Sequence, residues 1–358
     1  MEKIRIGVLF GGRSAEHEIS LISGYNVMKA LDHTKYDIFP IGISKTGEFY
    51  HFANDAILNI ESPTTVTLAT GGEEIFFSVG GFYNPKAQAK TTLDVVFPVL
   101  HGTYGEDGTI QGMLEIMDLP YVGTGVLGSA VGMDKDIMKK ILRDAGITIG
   151  KFLTVTSASE ITFEKATEAL GLPLFVKPAN AGSSVGISKV HDESEYMTAL
   201  EEAFKFDNKV LVEETIVGQE IEVSVMGNEK PEASLPGKVT PTHEFYDYDA
   251  KYLDENGATF EIPAKLSDQE IANVQEVAIK AYKALSAEGM SRVDGFLTPE
   301  GKFMIIEINT IPGFTKISMY PKLWEVSGLP YSQLLDKLVK LAIDRAEKRN
   351  EILTNYSL

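Results

Sequence analysis

The spacing of apolar and polar residues divides the chain into strands, helices and one long stretch where neither period holds. KIRIGVLF is an apolar strand and GGRSAE a turn. HEISLISGYNVMKALD is a helix in which Ile19, Ile22 and Met28–Leu31 recur every three to four residues. Ser14 is placed to cap it, with Glu16 in a first turn whose dipole favours an anion. YDIFPIGIS and LDVVFPVL read as further buried strands, so an open α/β domain is expected over residues 1–125. MDKDIMKKILRDAG is a helix with Met133, Ile137, Ile141 and Leu142 on one stripe, stopped at Gly146. GKFLTV, LPLFVKP, KVLVEETI and QEIEVSVMGN supply later strands. Over 238–262 the periodicity lapses in a stretch rich in Tyr and Asp, and loops of that length inside a domain are usually lids or disordered. Ser267 and Glu270 then form a capping-box pattern ahead of the stripe Ile271, Val274, Ala278, Ala281 and Leu285. A hairpin at 290–309 and a last amphipathic helix, YSQLLDKLVKLAIDRAEK, close the chain; that helix reads as an interface or as a cover for the core.

The hairpin carries the most informative arithmetic. A two-residue turn at Glu300-Gly301 puts Asp294 opposite Glu307 and Arg292 opposite Asn309, all on one face, with Val293, Ile306 and Ile308 pointing into a core. Two opposed carboxylates about 5 Å apart at Cβ destabilise a strand pair. A hard cation bound by carboxylate and amide oxygens would relieve them and suits Mg²⁺. A solvent-facing acidic pair with a nearby Arg is the plainer alternative.

Composition narrows the partners. The 358 residues are 44% hydrophobic and 23% charged, as expected for two or three soluble domains. A formal net charge of −18 argues against general binding to nucleic acid. Cysteine is absent, which removes disulfides, thiolate metal sites and a cysteine nucleophile. The N-terminal apolar run is too short for a signal-peptide core and no run is long enough to span a bilayer, so a cytoplasmic protein without membrane partners is expected.

Two glycine-rich stretches compete for a nucleotide. KPANAGSSVGISKV, at 177–190, is either an ordinary hairpin loop or a loop whose backbone N–H groups close over phosphate while Lys177 supplies a point charge. GTGVLG, at 123–128, matches a dinucleotide fingerprint, with Asp144 about 20 residues on. Its preceding apolar run is short and Asp144 falls within a helix. It predicts NAD binding and tolerance of Asp294→Ala.

In order along the chain, GGRSAEHEIS, HGTYGEDGTIQG, KPANAGSSVG, DYDAKY, SRVDGF and EINTIPGFT resemble the D-alanine–D-alanine ligases of the ATP-grasp superfamily. The resemblance implies a three-domain α/β (α+β) fold, divided at 1–125, 126–218 and 219–358, with nucleotide between the central and C-terminal units. It implies ATP-dependent joining of two D-alanines through an acyl phosphate, for peptidoglycan precursors. Two Mg²⁺ ions, replaceable by Mn²⁺, and a homodimer belong to the same expectation. Lys139 and Lys177 match residues that contact ATP phosphates, with Ser184 in the loop folding over them. Glu213 matches the adenine position and Glu220 the ribose position. Asp294, Glu307 and Asn309 match the magnesium ligands, while Arg292 and the Gly313 N–H match the oxyanion stabilisers. Glu16 matches the residue that receives the first D-alanine's ammonium group, with Ser183 and Tyr252 as its hydrogen-bonded partners. His101 lies near that substrate, and Lys251 and Ser318 would meet phosphate and the second substrate's carboxylate. The tyrosine at 252 favours a dipeptide over a depsipeptide. A relative using D-serine or D-lactate as second substrate, or a non-catalytic nucleotide-binding relative, stays open.

Overall fold

The computed structural model describes residues 2–54, 57, 71–182, 185–241 and 257–352. The opening strand–turn–helix forms as its pattern predicts: β1 (Ile4–Gly11), α1 (His17–Ala30) and β2 (Tyr36–Ile43), with β1 and β2 parallel. Strands β3 (Phe49–His51), β4 (Glu73–Ser78), β5 (Gly81–Asn84) and β6 (Ala89–Thr92) extend this sheet antiparallel, and β7 (Val95–Pro98) lies parallel to β1 on its other side. The helix starts at His17 with Glu16 in the capping position, and Ser14 accepts the Glu16 N–H at 3.1 Å. Its core face is Leu21, Tyr25, Val27 and Met28; Ile19 and Ile22, read on one spacing with Met28–Leu31, line a cavity instead.

After α2 (Thr109–Ile116), the helix expected from Met133 starts only at Lys135, as α4 (Lys135–Asp144), and Met133 ends a separate helix ahead of it, α3 (Val126–Met133). Asp134 separates them because its carboxylate accepts the N–H groups of Asp136 and Ile137, each at 3.1 Å, restarting the helix as an N-cap. The restart moves the inward stripe to Lys135, Met138, Lys139 and Leu142, while Ile137 is 37% exposed.

A four-stranded antiparallel sheet follows, ordered β10-β9-β11-β8 and made of β8 (Phe152–Val155), β9 (Leu174–Pro178), β10 (Ser188–Val190) and β11 (Val210–Glu214). Helices α5 (Phe163–Leu170) and α6 (Glu193–Ala203) pack against it through Ala166, Tyr196, Ala199 and Leu200. The third sheet contains β12 (Gln219–Met226), β13 (Glu232–Ala233), β14 (Gly237–Pro241), β15 (Ala258–Glu261), β16 (Met290–Leu297) and β17 (Phe303–Asn309). Its core is shared with α7 (Asp268–Ala284) and with Met138 and Leu142 of α4. Ser267 and Glu270 make the capping box as read. Beyond α8 (Met319–Val326), the last helix α9 (Tyr331–Asn350) buries Leu334, Leu335, Leu338 and Val339 in the core of the first sheet. It covers a core, the second of its two readings.

The hairpin reaches its expected register by two cancelling departures. Its loop holds three residues, Pro299–Gly301, closed by the Thr298 N–H to the Lys302 carbonyl at 2.9 Å, with Gly301 at φ 76°. That extra residue would slip every pair by one. A bulge between Asp294 and Gly295 restores the pairing, so Asp294 faces Glu307 and Arg292 faces Asn309. The bulge makes two side chains trade faces: Ile305 is fully buried in the core, and Ile306, expected there, lines the cavity. Ile305→Ala should therefore lower unfolding free energy by about 2–5 kcal/mol, and Ile306→Ala by much less. Denaturant unfolding of the two variants decides it, and the reverse order would restore the unbulged register.

Candidate active site

A cavity of about 920 Å³ opens between the four-stranded and third sheets and reaches α1, a size suited to a small-molecule site. On its floor the register sets Glu222, Asp294 and Glu307 side by side on three adjacent strands. Ser224, Arg292 and Asn309 form the next row. Arg292 holds Asp294 with both prongs, Nε to Oδ1 at 2.8 Å and Nη2 to Oδ2 at 2.7 Å, and its Nε lies 3.2 Å from Glu222 Oε2. Lys135 Nζ stands 3.7 Å from Glu307 Oε2.

The repulsion expected between Asp294 and Glu307 is thus already answered by one arginine and one lysine. Repulsion alone no longer demands a cation. The donor set still fits one: Asn309 Oδ1 is buried without a hydrogen-bond partner among the described residues, beside two carboxylates. Two carboxylates and an amide oxygen suit a hard divalent ion. Among the described residues no group of three or more His, Cys, Asp or Glu is arranged to hold a metal, so the two carboxylates would need another oxygen beside them, and the Asn309 amide offers one.

The opposite wall is built from lysines. Lys177, on β9, pairs with Glu213 of β11 at 2.8 Å, and Lys139 approaches the other Glu213 oxygen at 3.2 Å. That second approach lacks hydrogen-bond geometry, which leaves the Lys139 ammonium, wholly buried, without a hydrogen-bond partner among the described residues. Burial opposes the charge of Glu213, but Lys177 and Lys139 together outweigh it and hold its carboxyl below the usual range. Burial lowers the ammonium groups of Lys139 and Lys135. Lys135 faces the cavity and donates to the Ala181 carbonyl at 2.8 Å. Residue periodicity passed over it because the stripe was drawn through Met133; the cap at Asp134 is the signal that shifts it. Glu220 lines the same cavity, as do Phe175, Ile187, Ile216 and Phe296.

The third wall comes from α1 and the 101–108 loop. Glu16 is buried, and a Cβ added at Gly102 or Gly182 would stand 2.7 or 2.9 Å from its Oε2. Two loops from different sheets therefore close on one carboxylate, and Gly102, at φ 74°, also takes a backbone conformation that favours glycine. His101 Nδ1 donates to the Ile311 carbonyl at 3.2 Å, and its Nε2 accepts from Ser23 Oγ at 3.2 Å. Burial lowers its pKa, so the imidazole is neutral. Glu106, absent from the sequence reading, accepts the Gly102 N–H at 2.6 Å; burial, then the charge of Glu16, pushes its pKa up to about 8. Gly313 and Ser318 sit together, an added Cβ at Gly313 lying 2.7 Å from Ser318 Oγ.

Of the expected site residues, Glu16, His101, Lys177, Glu213, Glu220, Arg292, Asp294, Glu307, Asn309, Gly313 and Ser318 line this one cavity. Lys139 stands fully buried behind Glu213. Ser183, Ser184, Lys251 and Tyr252 lie outside the described residues. Missed in the sequence were Lys135, Glu106 and Glu222; Glu222 could have been found as the residue two positions after Glu220, on the same strand face. GTGVLG serves packing: Thr124 Oγ1 donates to the Glu288 and Met290 carbonyls at 3.0 and 3.1 Å, and a Cβ at Gly128 would meet the Ser286 carbonyl at 2.7 Å.

Two family models match most of the chain. The D-ala D-ala ligase N-terminus model matches residues 5–124 and the D-ala D-ala ligase C-terminus model residues 141–340. A curated D-alanine–D-alanine ligase of Oceanobacillus iheyensis is 48% identical, with 99% of each chain covered. The structure of the D-alanine-D-alanine ligase from Coxiella burnetii superposes with a TM-score of 0.88 at 40% identity, covering 98% of this chain and 97% of that one. The VanG D-Ala:D-Ser ligase from Enterococcus faecalis superposes at 0.85 and 40% identity, covering 95% and 100%. The chain belongs to the D-alanine–D-alanine ligase family of ATP-dependent ligases.

Proposed function

We propose that this cavity uses ATP to join two D-alanines into D-alanyl-D-alanine for peptidoglycan precursors, with the residue roles given below. The observation that supports it most is one cavity lined on one side by lysines and on another by oxygen donors, with a neutral imidazole and a buried carboxylate at its end. A carboxylate oxygen of the first D-alanine attacks the γ-phosphorus of ATP and ADP leaves. The amine of the second then attacks the acyl carbon, losing a proton, and phosphate departs with the acyl–oxygen electron pair.

Glu16 takes the first ammonium group, with neutral His101 beside it. Ser183 and Tyr252 complete that network, and Ser318 receives the second carboxylate. Lys135 and Lys177 meet the polyphosphate directly, with Lys251 and Ser184 closing on it. Lys139 acts from behind by holding Glu213, toward the adenine, while Glu220 takes the ribose. Arg292 and the Gly313 N–H face the oxyanion that forms at the acyl carbon, donors placed before the charge develops. Asp294, Glu307 and Asn309 would hold Mg²⁺, two ions in our reading and replaceable by Mn²⁺, whose charge offsets that of the transferring phosphoryl group.

In the same reading the units run 1–125, 126–218 and 219–358, and the protein is a cytoplasmic homodimer; the resemblance supports these, and no described helix is long and apolar enough to cross a membrane. A second reading changes only the second substrate. The D-Ala:D-Ser ligase and the D-alanine-D-alanine ligase are equally similar in identity, 40% each.

Purified protein with ATP, Mg²⁺ and D-alanine should release phosphate and form a dipeptide of the expected mass, with none from L-alanine and none after chelation of the metal. D-serine incorporated in preference to a second D-alanine would establish the alternative, and no D-amino-acid-dependent phosphate release from folded protein would end both. Lys135→Met should raise the KM for ATP about tenfold or more, the worth of a charge-assisted hydrogen bond, while Lys139→Met should mainly lower thermal stability. Equal KM values for the parent and Lys135→Met would remove Lys135 from the phosphate site.

A further inference from the structure

We propose that Glu222 is a positioning residue that keeps Arg292 in place when Asp294 is engaged by a divalent cation. This rests on the metal reading above and goes beyond it. The two oxygens of Asp294 are both taken by Arg292, at 2.8 and 2.7 Å. A divalent ion on Asp294 competes for those oxygens and repels the guanidinium beside them. Arg292 must then loosen its hold on Asp294 while its guanidinium stays at the cavity wall.

The register supplies the means. Glu222 is directly opposite Asp294 on the neighbouring strand, so both carboxylates project from the same sheet face on either side of the arginine. Its Oε2 already lies 3.2 Å from the same Nε that holds Asp294. Glu222 is 8% exposed, so its charge is poorly screened and its geometry is confined. A guanidinium has five N–H donors in a rigid fork, and it can shift its weight from Asp294 to Glu222 by a small rotation. Without Glu222 the fork rests on Asp294, and the metal has to displace it.

A different role would be simple: one more negative charge raising metal affinity at a distance. The two differ in whether Arg292 is needed. Mn²⁺ binding to the full chain with ADP, read by electron paramagnetic resonance, tests this without relying on turnover. Glu222→Gln should weaken Mn²⁺ binding about tenfold in the parent, the worth of a charge-assisted hydrogen bond. In an Arg292→Met background the same change should alter binding by no more than about twofold, because contacts in one network are not additive. Equal weakening in both backgrounds, or none in the parent, would overturn the proposal. No Mn²⁺ binding by the unaltered chain would overturn the metal reading and this inference with it. A structure of the unaltered chain with ADP and Mn²⁺ gives a check that needs no variant. Arg292 should then sit on Glu222 with an Asp294 oxygen on the metal, and an Arg292 fork still closed on both Asp294 oxygens would overturn it.

Discussion

Charge compensation across the row Glu222, Asp294 and Glu307 is the constraint on which the rest of the site depends. Three carboxylates on adjacent strands repel one another, and withdrawing them from water is costly unless cations share the burial. Arg292 answers two of them from within the same sheet. Lys135 answers the third from α4, and the same ammonium group donates to the Ala181 carbonyl in the loop after β9. One lysine thereby ties the third sheet to the four-stranded one. Lys139, one turn along the same helix, does so again through Glu213. The helix that packs on the third sheet supplies a counter-charge to each sheet, Lys135 to Glu307 and Lys139 to Glu213, so ion pairs bracket the cavity between them.

This explains why the inward stripe of α4 carries lysines at all. Lysine is seldom fully buried without a partner, and a stripe with Met138 and Leu142 would ordinarily be apolar throughout. Here the two apolar residues pack into the third sheet while the two lysines, at i and i+4, reach carboxylates, Glu307 on that sheet and Glu213 on the four-stranded one. Packing and charge divide one helix face between them.

The sequence carried the strands, the capping box and the opposed pairs of the hairpin, because each rests on local periodicity or on a motif with a mechanism. It failed where a single capping residue resets a helix. Nothing in the spacing of Met133, Ile137 and Ile141 reveals that Asp134 interrupts it, and the misplaced stripe hid Lys135. It also failed at Ile19, Ile22 and Ile306, since an apolar residue facing a ligand cavity and one facing a core obey the same period. The hairpin is the instructive success. Its turn is one residue longer than read, and a bulge absorbs the difference before the functional rows begin. Alternation is robust to such errors only when they come in pairs.

The bulge itself has a consequence for the site. An unbulged β17 would place Ile306 in the core and leave the cavity floor between Glu307 and the sheet's end without that apolar side chain. With it, Ile305 fills the core and Ile306 turns into the cavity beside Glu307, so apolar surface abuts the carboxylate row. Low-polarity surroundings strengthen every charge interaction next to them and make unpaired charge correspondingly expensive. A site lined this way tolerates few arrangements of its ions. That intolerance holds Arg292, Lys135 and Lys177 in place before any substrate arrives, and donors fixed in advance need little rearrangement as charge moves during reaction.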